Sequence, residues 1–385
     1  MTNISSTTDL SSVERERYAR HLLLPELGLV GQKRLKAATV AVVGAGGLGC
    51  PALQYLAAAG VGTIHIIDDD TVDRSNLQRQ ILYRDSDVGQ PKAEVAAAVL
   101  RAQNPLLHIE AHRVRLVAAN AAALLRGADV MVNGADNFPT RYLVSDASVL
   151  LGIPHVHGAI HRFEGEVSVF LPSGPCYRCL HPNPPALGTV PSCSEAGVLG
   201  VLPGLVGAIQ ATETLKLLLG IGLPLVGRLL LLDALTLRFR ELRLPRNPAC
   251  VACGNTPSLP ELTDNTAVQC ATKYTTGVTT MREMTPTELK VKLDRGDDFL
   301  LIDVREPNEF ELCRIPGARL IPLNTVPQHM GDLDQDAEIV LQCRSGRRSA
   351  DALLFLQANG FTNLWNLKGG ILAWADDIDP TMAKY

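Results

Sequence analysis

The chain has 385 residues, of which 46% are hydrophobic, and a formal net charge of −4. This length predicts two domains, and the hydrophobic content is ample for their cores. A small negative charge without a basic tract argues against nucleic acid as the main ligand, and no stretch reaches the ~18 to 20 uninterrupted apolar residues of a membrane span. Residues 1–12 lack the pattern of a signal peptide, which indicates a cytoplasmic protein.

A glycine-rich turn joins a predicted strand to a predicted helix near the start of the chain. The apolar run 39–43 precedes the turn, and the helix-forming run 52–59 follows it. Glycines let the backbone approach phosphate, and a helix N-terminus attracts anions. The glycines expected to contact a nucleotide are Gly44, Gly46, Gly47 and Gly49. A second predicted strand, 63–67, ends at Asp68, which is placed to accept hydrogen bonds from a ribose, so the pattern predicts a Rossmann-like nucleotide site.

The polar segment after this site favours ATP over a dinucleotide. Arg79 and Lys92 are cations where a triphosphate would need them. From charge alone, a solvated surface loop explains these residues equally well. The segment 68–80 is more specific, because it resembles the ubiquitin-activating superfamily, in particular the bacterial adenylyltransferases that activate small sulfur-carrier proteins. Further matches lie at 17–21, 31–35 and 134–142, so the resemblance covers about residues 13–245.

The resemblance implies roles for individual residues. It places Asp136 as a magnesium ligand, and it implies that Arg79 enters the site from a second subunit of a homodimer. The other residues that it implies for ATP binding are Arg20, Ser75, Asn76, Leu77, Gln78 and Asn137.

Nine cysteines in a chain without an export signal favour metal binding or catalysis over disulfides. Two C-x-x-C pairs are formed by Cys176 with Cys179 and by Cys250 with Cys253. Four thiolates make a closed tetrahedral zinc site, which is structural because no position is left for water. Either pair alone could be redox-active or a coincidence, but the two together predict zinc.

Cys193 lies between a proline turn and an apolar helical run. A helix N-terminus stabilises a thiolate. The resemblance implies that a cysteine here forms a thioester or an acyl-disulfide with the carrier protein. The alternative is an unreactive small residue in a mobile crossover loop.

The chain becomes rich in threonine after residue 262, which predicts a linker over 263–283. The linker separates a first domain over 1–262, an adenylyltransferase domain as the resemblance implies, from a second domain over 284–385. The second domain begins with a predicted helix that has Thr285 as its N-cap and Glu288 completing a capping box.

The predicted strand 338–342 leads into Cys343, which stands before another helix. Successive backbone N–H groups and two or three arginines would stabilise a thiolate or a persulfide there. A tyrosine-phosphatase loop would need arginine where this chain has Ser349, and a buried inert thiol is the remaining alternative. Residues 284–385 resemble a single-domain rhodanese, a sulfurtransferase.

Together the two resemblances imply an α/β protein, with a Rossmann-like adenylation domain followed by a smaller α/β rhodanese domain. The implied reaction uses ATP and Mg²⁺ to adenylate the C-terminal glycine of a ubiquitin-like sulfur carrier that ends in Gly-Gly. Cys343, loaded by thiosulfate or by a cysteine desulfurase persulfide, would then convert the adenylate to a thiocarboxylate.

Three alternatives belong to other classes. A Rossmann dehydrogenase does not explain Arg79, Lys92 or the cysteine pairs. A ubiquitin-type activating enzyme would form a carrier thioester for protein conjugation. A non-catalytic scaffold would bind the carrier and a desulfurase. The destination of the sulfur stays open among molybdopterin, thiamine, a thiolated tRNA base, cysteine and a secondary metabolite.

Overall fold

The computed structural model describes residues 9–184, 197–259, 261–264 and 281–385. These residues form two compact units, one up to residue 264 and one from residue 281 onward. Most of the predicted linker 263–283 lies outside the described residues, and the domain boundaries stay a prediction.

The first unit is built on one eight-stranded sheet. Its strands are β1 (Thr39–Val43), β2 (Thr63–Ile67), β3 (His108–His112), β4 (Val130–Asn133), β5 (His155–His161), β6 (Glu164–Phe170), β7 (Arg228–Asp233) and β8 (Arg238–Arg243). They lie in the order β3-β2-β1-β4-β5-β6-β7-β8, and pairing is parallel from β3 to β5 and antiparallel from β5 to β8. The runs 39–43 and 63–67 are adjacent strands, so the strand prediction is confirmed.

Helices pack on both faces of this sheet. They are α1 (Ser12–Arg17), α2 (Ala19–Leu22), α3 (Gly28–Ala37), α4 (Gly49–Ala59), α5 (Lys92–Gln103), α6 (Ala118–Leu125), α7 (Phe138–Leu151), α8 (Tyr177–Leu180) and α9 (Val201–Leu219). The cores contain α4, α5 and α9 on the face of Val40 and Val42, and α6 and α7 on the face of Ala41 and Val43. A strand buried on both faces needs apolar residues at successive positions, which explains the continuous apolar run of β1.

The second unit is smaller and has a parallel sheet. Its strands are β9 (Glu283–Met284), β10 (Leu300–Asp303), β11 (Arg319–Leu320), β12 (Ile339–Gln342) and β13 (Leu364–Leu367), in the order β11-β10-β12-β13-β9. Its helices are α10 (Pro286–Arg295), α11 (Pro307–Leu312), α12 (Val326–His329), α13 (Arg347–Ala358) and α14 (Gly370–Asp377). The predicted fold class, a Rossmann-like domain followed by a smaller α/β domain, is confirmed.

The predicted capping box at the start of α10 is present. The Thr285 side-chain oxygen accepts a hydrogen bond from the Glu288 N–H at 3.3 Å, and the Glu288 carboxylate accepts one from the Thr285 N–H at 2.7 Å. Across the residues that the structure describes, no helix combines the length and apolar character that crossing a membrane requires.

Candidate functional site

A cleft lies at the carboxyl ends of β1, β2 and β4, where open α/β sheets bind ligands. Eight residues of the predicted nucleotide site line it: Gly44, Gly46, Gly47, Asp68, Arg79, Lys92, Asp136 and Asn137. The turn from β1 to α4 is tight, since Gly44 has a φ of +91° and a Cβ atom at Gly49 would lie 1.9 Å from the Gly44 carbonyl oxygen. Glycine is therefore required at both positions.

Asp68 follows β2 and holds the glycine loop in place. Its Oδ2 accepts a hydrogen bond from the Ala45 N–H at 2.7 Å, and its Oδ1 accepts one from the Asp70 N–H at 2.8 Å. Burial raises the pKa of the Asp68 carboxyl above its ordinary value, although these hydrogen bonds favour the ionised form. Asp68 is thus a structural part of the loop in addition to its predicted contact with ribose.

Lys92 and Arg79 bring positive charge to the cleft. Lys92 is the first residue of α5 and is only 4% exposed, and its Nζ lies 2.9 Å from Oδ2 of Asp70. Arg79 donates a hydrogen bond from Nη1 to the Ser75 carbonyl oxygen at 3.1 Å. Because the Asp70 carboxylate is exposed, a phosphate oxygen can take its place beside the buried ammonium group.

Two buried polar side chains, Gln80 and Arg141, also line the cleft, and the predicted site residues did not include them. Gln80 is 4% exposed, and its Oε1 has no hydrogen-bond partner within the described residues. Arg141 of α7 is also buried and donates from Nε to the Ala135 carbonyl oxygen at 3.1 Å. A buried oxygen without a donor is costly, so the cleft is suited to a ligand that supplies one. Gln80 ends the polar segment 75–80, and that motif could have identified it.

Asp136 and Asn137 follow β4, and their side chains have different roles. Asp136 presents an exposed carboxylate to the cleft. The Asn137 side-chain oxygen accepts a hydrogen bond from the Thr140 N–H at 3.0 Å and so caps α7. Asp136 is therefore the better candidate for a metal contact, while Asn137 fixes the helix behind it.

Six predicted residues lie outside the lining of the cleft: Gly49, Ser75, Asn76, Leu77, Gln78 and Arg20. Ser75 and Asn76 belong to a short 3₁₀ turn that precedes Arg79, and Arg20 is exposed on α2. Arg79 itself reaches the cleft of its own chain. The expectation that a second subunit supplies Arg79, and with it the homodimer, stays a prediction.

The four cysteines of the two C-x-x-C pairs come together between the segments that follow β6 and β8. The sulfur atoms of Cys176 and Cys250 lie 3.5 Å apart, and those of Cys179 and Cys253 lie 3.3 Å apart. All four lie within 4.8 Å of one another. Ligands on a tetrahedral ion with ~2.3 Å Zn–S bonds would be ~3.8 Å apart, so the cluster can hold a zinc ion.

The surroundings of this cluster favour a bound cation. Burial raises the pKa of the Cys176 thiol above its ordinary value, and the interactions with the neighbouring cysteines raise it further. The Asn247 N–H donates to the Cys179 sulfur at 3.3 Å, as expected for a metal-binding knuckle. Four thiolates at this separation repel one another unless a metal ion compensates their charge.

The second unit carries the predicted reactive cysteine between β12 and α13. The sulfur of Cys343 accepts hydrogen bonds from the Gly346 N–H at 3.2 Å and from the Ser349 hydroxyl at 3.3 Å. The Ile371 N–H donates to the Cys343 carbonyl oxygen at 2.8 Å, which holds the loop against the start of α14. Donors directed at a buried sulfur stabilise negative charge on it, which is the environment predicted for a thiolate or a persulfide.

The arginines near this loop contribute less positive charge than the sequence suggested. Arg348 forms a buried two-pronged ion pair with Glu309, with distances of 2.6 and 2.7 Å. Arg344 donates from Nε to the main-chain oxygen of Tyr385 at 2.6 Å, and Arg347 is exposed in the first turn of α13. Because Glu309 compensates Arg348, the N–H and hydroxyl donors account for more of the stabilisation of the sulfur. Cys193 lies outside the described residues, and its role stays a prediction.

Comparisons with known families match both units. The ThiF family model matches residues 18–252, and the rhodanese-like domain model matches residues 285–377.

Two relatives and one solved structure illustrate the similarity. The "Probable adenylyltransferase/sulfurtransferase MoeZ" of Mycobacterium tuberculosis is 45% identical, and the match covers 99% of this chain and 98% of that protein. The "Sulfur carrier protein adenylyltransferase" of Thermus thermophilus is 57% identical, covering 65% of this chain and 95% of that protein. A crystal structure of E. coli MccB with ATP gives a TM-score of 0.55 at 23% identity over 63% of this chain and 75% of that one, which indicates a shared fold.

Proposed function

The chain belongs to the ThiF family and carries a rhodanese-like domain, and from this we propose that it converts the C-terminal carboxylate of a ubiquitin-like sulfur carrier into a thiocarboxylate. It is an adenylyltransferase and a sulfurtransferase, as its full-length relatives are. The observation that carries the proposal is that one polypeptide holds both a glycine-loop cleft and a cysteine whose sulfur is surrounded by hydrogen-bond donors.

The cleft of the first unit would carry out the adenylation. A carboxylate is a poor electrophile, and its attack on the α-phosphorus of ATP gives an acyl-adenylate with release of pyrophosphate. The glycine loop and the start of α4 would face the phosphates, and Lys92 and Arg79 would stabilise the negative charge that develops on them. Asp68 would bind the ribose. Gln80 would accept a hydrogen bond through its unpartnered Oε1.

Magnesium is part of this proposal. Asp136 offers the cleft an exposed carboxylate, a hard oxygen ligand of the kind that Mg²⁺ prefers. When bound, the ion would shield the phosphate charge that opposes attack by a carboxylate. The zinc ion of the four cysteines would be structural, since it would have no open coordination position.

Cys343 would carry out the sulfur transfer. Loaded by thiosulfate or by a desulfurase persulfide, its outer sulfur would attack the acyl-adenylate carbonyl and displace AMP, giving an acyl-disulfide. A second thiol would then attack the Cys343 sulfur, release the carrier thiocarboxylate and form a disulfide with Cys343, which a further thiol would reduce. Cys193 or an external thiol would be the second thiol, and the Gly346 and Ser349 donors would stabilise the Cys343 thiolate that the final reduction releases.

The test is the intact mass of a carrier protein that ends in Gly-Gly, incubated with the enzyme, ATP, Mg²⁺, thiosulfate and a reductant. We expect the mass increase of one oxygen replaced by one sulfur with the wild-type enzyme. The Cys343→Ala variant should release pyrophosphate with the carrier and yet leave the carrier unthiolated. Cys313→Ala is the matched control, because Cys313 is a half-buried cysteine of the same unit and should be dispensable.

The alternative is a ubiquitin-type activating enzyme. It predicts a carrier thioester on this chain that survives the Cys343→Ala substitution and is removed by hydroxylamine. Detection of that thioester, with no thiocarboxylate under either sulfur donor, would reject the proposal.

A further inference from the structure

Three histidines and a glutamate share one face of the sheet edge in the first unit. In β3, His108, Glu110 and His112 alternate along the strand, so their side chains point to the same side. The parallel register places His65 of β2 directly beside Glu110. The group therefore follows from strand periodicity and pairing register, and it lies apart from the four-cysteine cluster, which follows β6 and β8.

Three of these side chains are close enough to share one ion. The ligand atoms of His65, Glu110 and His112 lie within 4.8 Å of one another. Oε2 of Glu110 is 4.0 Å from Nε2 of His65 and 3.6 Å from Nε2 of His112. Around a tetrahedral ion with ~2.0 Å bonds the ligand atoms would be ~3.3 Å apart, so small side-chain rotations suffice.

The hydrogen bonds within this group leave two atoms that could coordinate a metal ion. Nε2 of His112 is buried and has no hydrogen-bond partner in the described parts of the chain. Oε1 of Glu110 is held by Nε2 of His108 at 2.8 Å, which leaves Oε2 turned toward the other two histidines. His108 thus orients the carboxylate in the way that outer partners orient metal ligands. The site is reachable, since the side chains of His65, His112 and Glu110 are 21%, 25% and 42% exposed.

We propose that His65, Glu110 and His112 form a second metal site that binds a divalent transition ion such as Zn²⁺. Two imidazoles and one carboxylate are a donor set for zinc, copper or nickel ions, unlike the oxygen donors of a magnesium site. Three protein ligands leave a position for water, so this site is of the open type. The ion would also join the edge strand β3 to β2, and so stabilise an edge that otherwise depends on one strand pairing.

The experiment uses the full chain with its cysteine cluster loaded with zinc and the excess removed. Binding of Zn²⁺ alone is measured by equilibrium dialysis with elemental analysis. We expect the wild type to bind one ion beyond the cysteine-bound one, and each of His65→Ala, His112→Ala and Glu110→Gln to weaken that binding at least about tenfold. His329→Ala removes an exposed histidine of the second unit and should leave the binding unchanged.

A second readout separates binding from folding. Glu110→Gln keeps the size of the side chain, so the variant should fold and unfold at nearly the same temperature as the wild type without metal. At the same concentration, added Zn²⁺ should raise the unfolding temperature of the wild type more than that of Glu110→Gln. The proposal is overturned if no ion binds beyond the cysteine cluster, if the variants bind it as tightly as wild type, or if its Kd is weaker than about 1 mM, which would indicate adventitious chelation.

Discussion

The two oxygens of the Asp68 carboxylate each accept a backbone N–H, one from Ala45 and one from Asp70. Asp68→Asn provides a single acceptor oxygen, so one N–H loses its partner or faces an amide hydrogen. A buried donor left unpaired costs about 1 to 3 kcal/mol. We therefore expect the KM for ATP to rise by roughly tenfold or more in a pyrophosphate-release assay.

The control for this substitution is Asp69→Asn. Asp69 also lines the cleft and is exposed, and none of the described side-chain hydrogen bonds to the loop comes from it. The KM of the Asp69→Asn variant for ATP should change much less than that of Asp68→Asn. Equal effects from the two variants would mean that loss of charge in the cleft, and not the support of the loop, determines ATP binding.

Ser349 takes the position that arginine would occupy in a phosphatase loop, and its hydroxyl donates to the sulfur of Cys343. A hydrogen bond to a charged group contributes about 1.5 kcal/mol or more. Ser349→Ala should thus slow sulfur transfer from thiosulfate to cyanide by about tenfold, because the sulfur bears negative charge in that reaction. Ser345→Ala, an exposed serine of the same loop, should retain the rate. If both variants retain the wild-type rate, the Gly346 N–H alone is sufficient to stabilise the Cys343 sulfur.

The turn between β1 and α4 allows steric and ligand effects to be separated. A Cβ atom at Gly49 would lie 1.9 Å from the Gly44 carbonyl oxygen, whereas one at Gly46 would meet only the Gln80 side chain, at 3.6 Å. Gly49→Ala should therefore destabilise the fold by about 1 to 3 kcal/mol. Gly46→Ala should leave stability unchanged and weaken ATP binding, because the added methyl group occupies the loop that faces the phosphates.

Thermal unfolding with and without ATP measures both effects. Gly49→Ala should unfold at a lower temperature even without nucleotide. Gly46→Ala should match the wild type without nucleotide and lose most of the stabilisation that ATP confers. A Gly46→Ala variant that ATP stabilises as strongly as wild type would show that the ligand does not approach this glycine.

Strands were predictable from sequence where burial imposes a pattern. The apolar runs 39–43, 63–67 and 338–342 indicated strands, and the structure has them at those places within a residue. The strand β8 had no such signal, because every residue of Arg238–Arg243 is exposed and charged side chains dominate it. Its position depends on pairing with β7, a contact that local sequence does not encode.

The candidate site was predictable to a similar degree. Three glycines of the loop, Gly44, Gly46 and Gly47, were identified together with Asp68 and line the same cleft. The pairing of Arg348 with Glu309 was not predictable, since it joins two elements that are far apart in the chain. The position of Arg20 outside the cleft is of the same kind, because α2 has only four residues and is too short for a periodic pattern to indicate its buried face.

Placing both reactions in one chain has a kinetic consequence that does not depend on how the units are arranged. An acyl-adenylate is prone to hydrolysis, so the thiol that traps it must be present at high local concentration. Two groups tethered on one polypeptide meet at an effective concentration of about 1 mM. Residues 1–264 and 281–385, produced separately and mixed at ~10 µM each, should therefore thiolate the carrier about 100-fold more slowly than the intact chain.

Two controls make this prediction specific. Each fragment must retain its own half-reaction, namely carrier-dependent pyrophosphate release for 1–264 and sulfur transfer to cyanide for 281–385. A chain in which 265–280 is replaced by a glycine-serine segment of equal length should recover the intact rate, since only tethering is required. If that chain stays slow, the linker residues themselves take part in the transfer. If the separate fragments match the intact chain, Cys343 reaches the adenylate by binding and not by tethering.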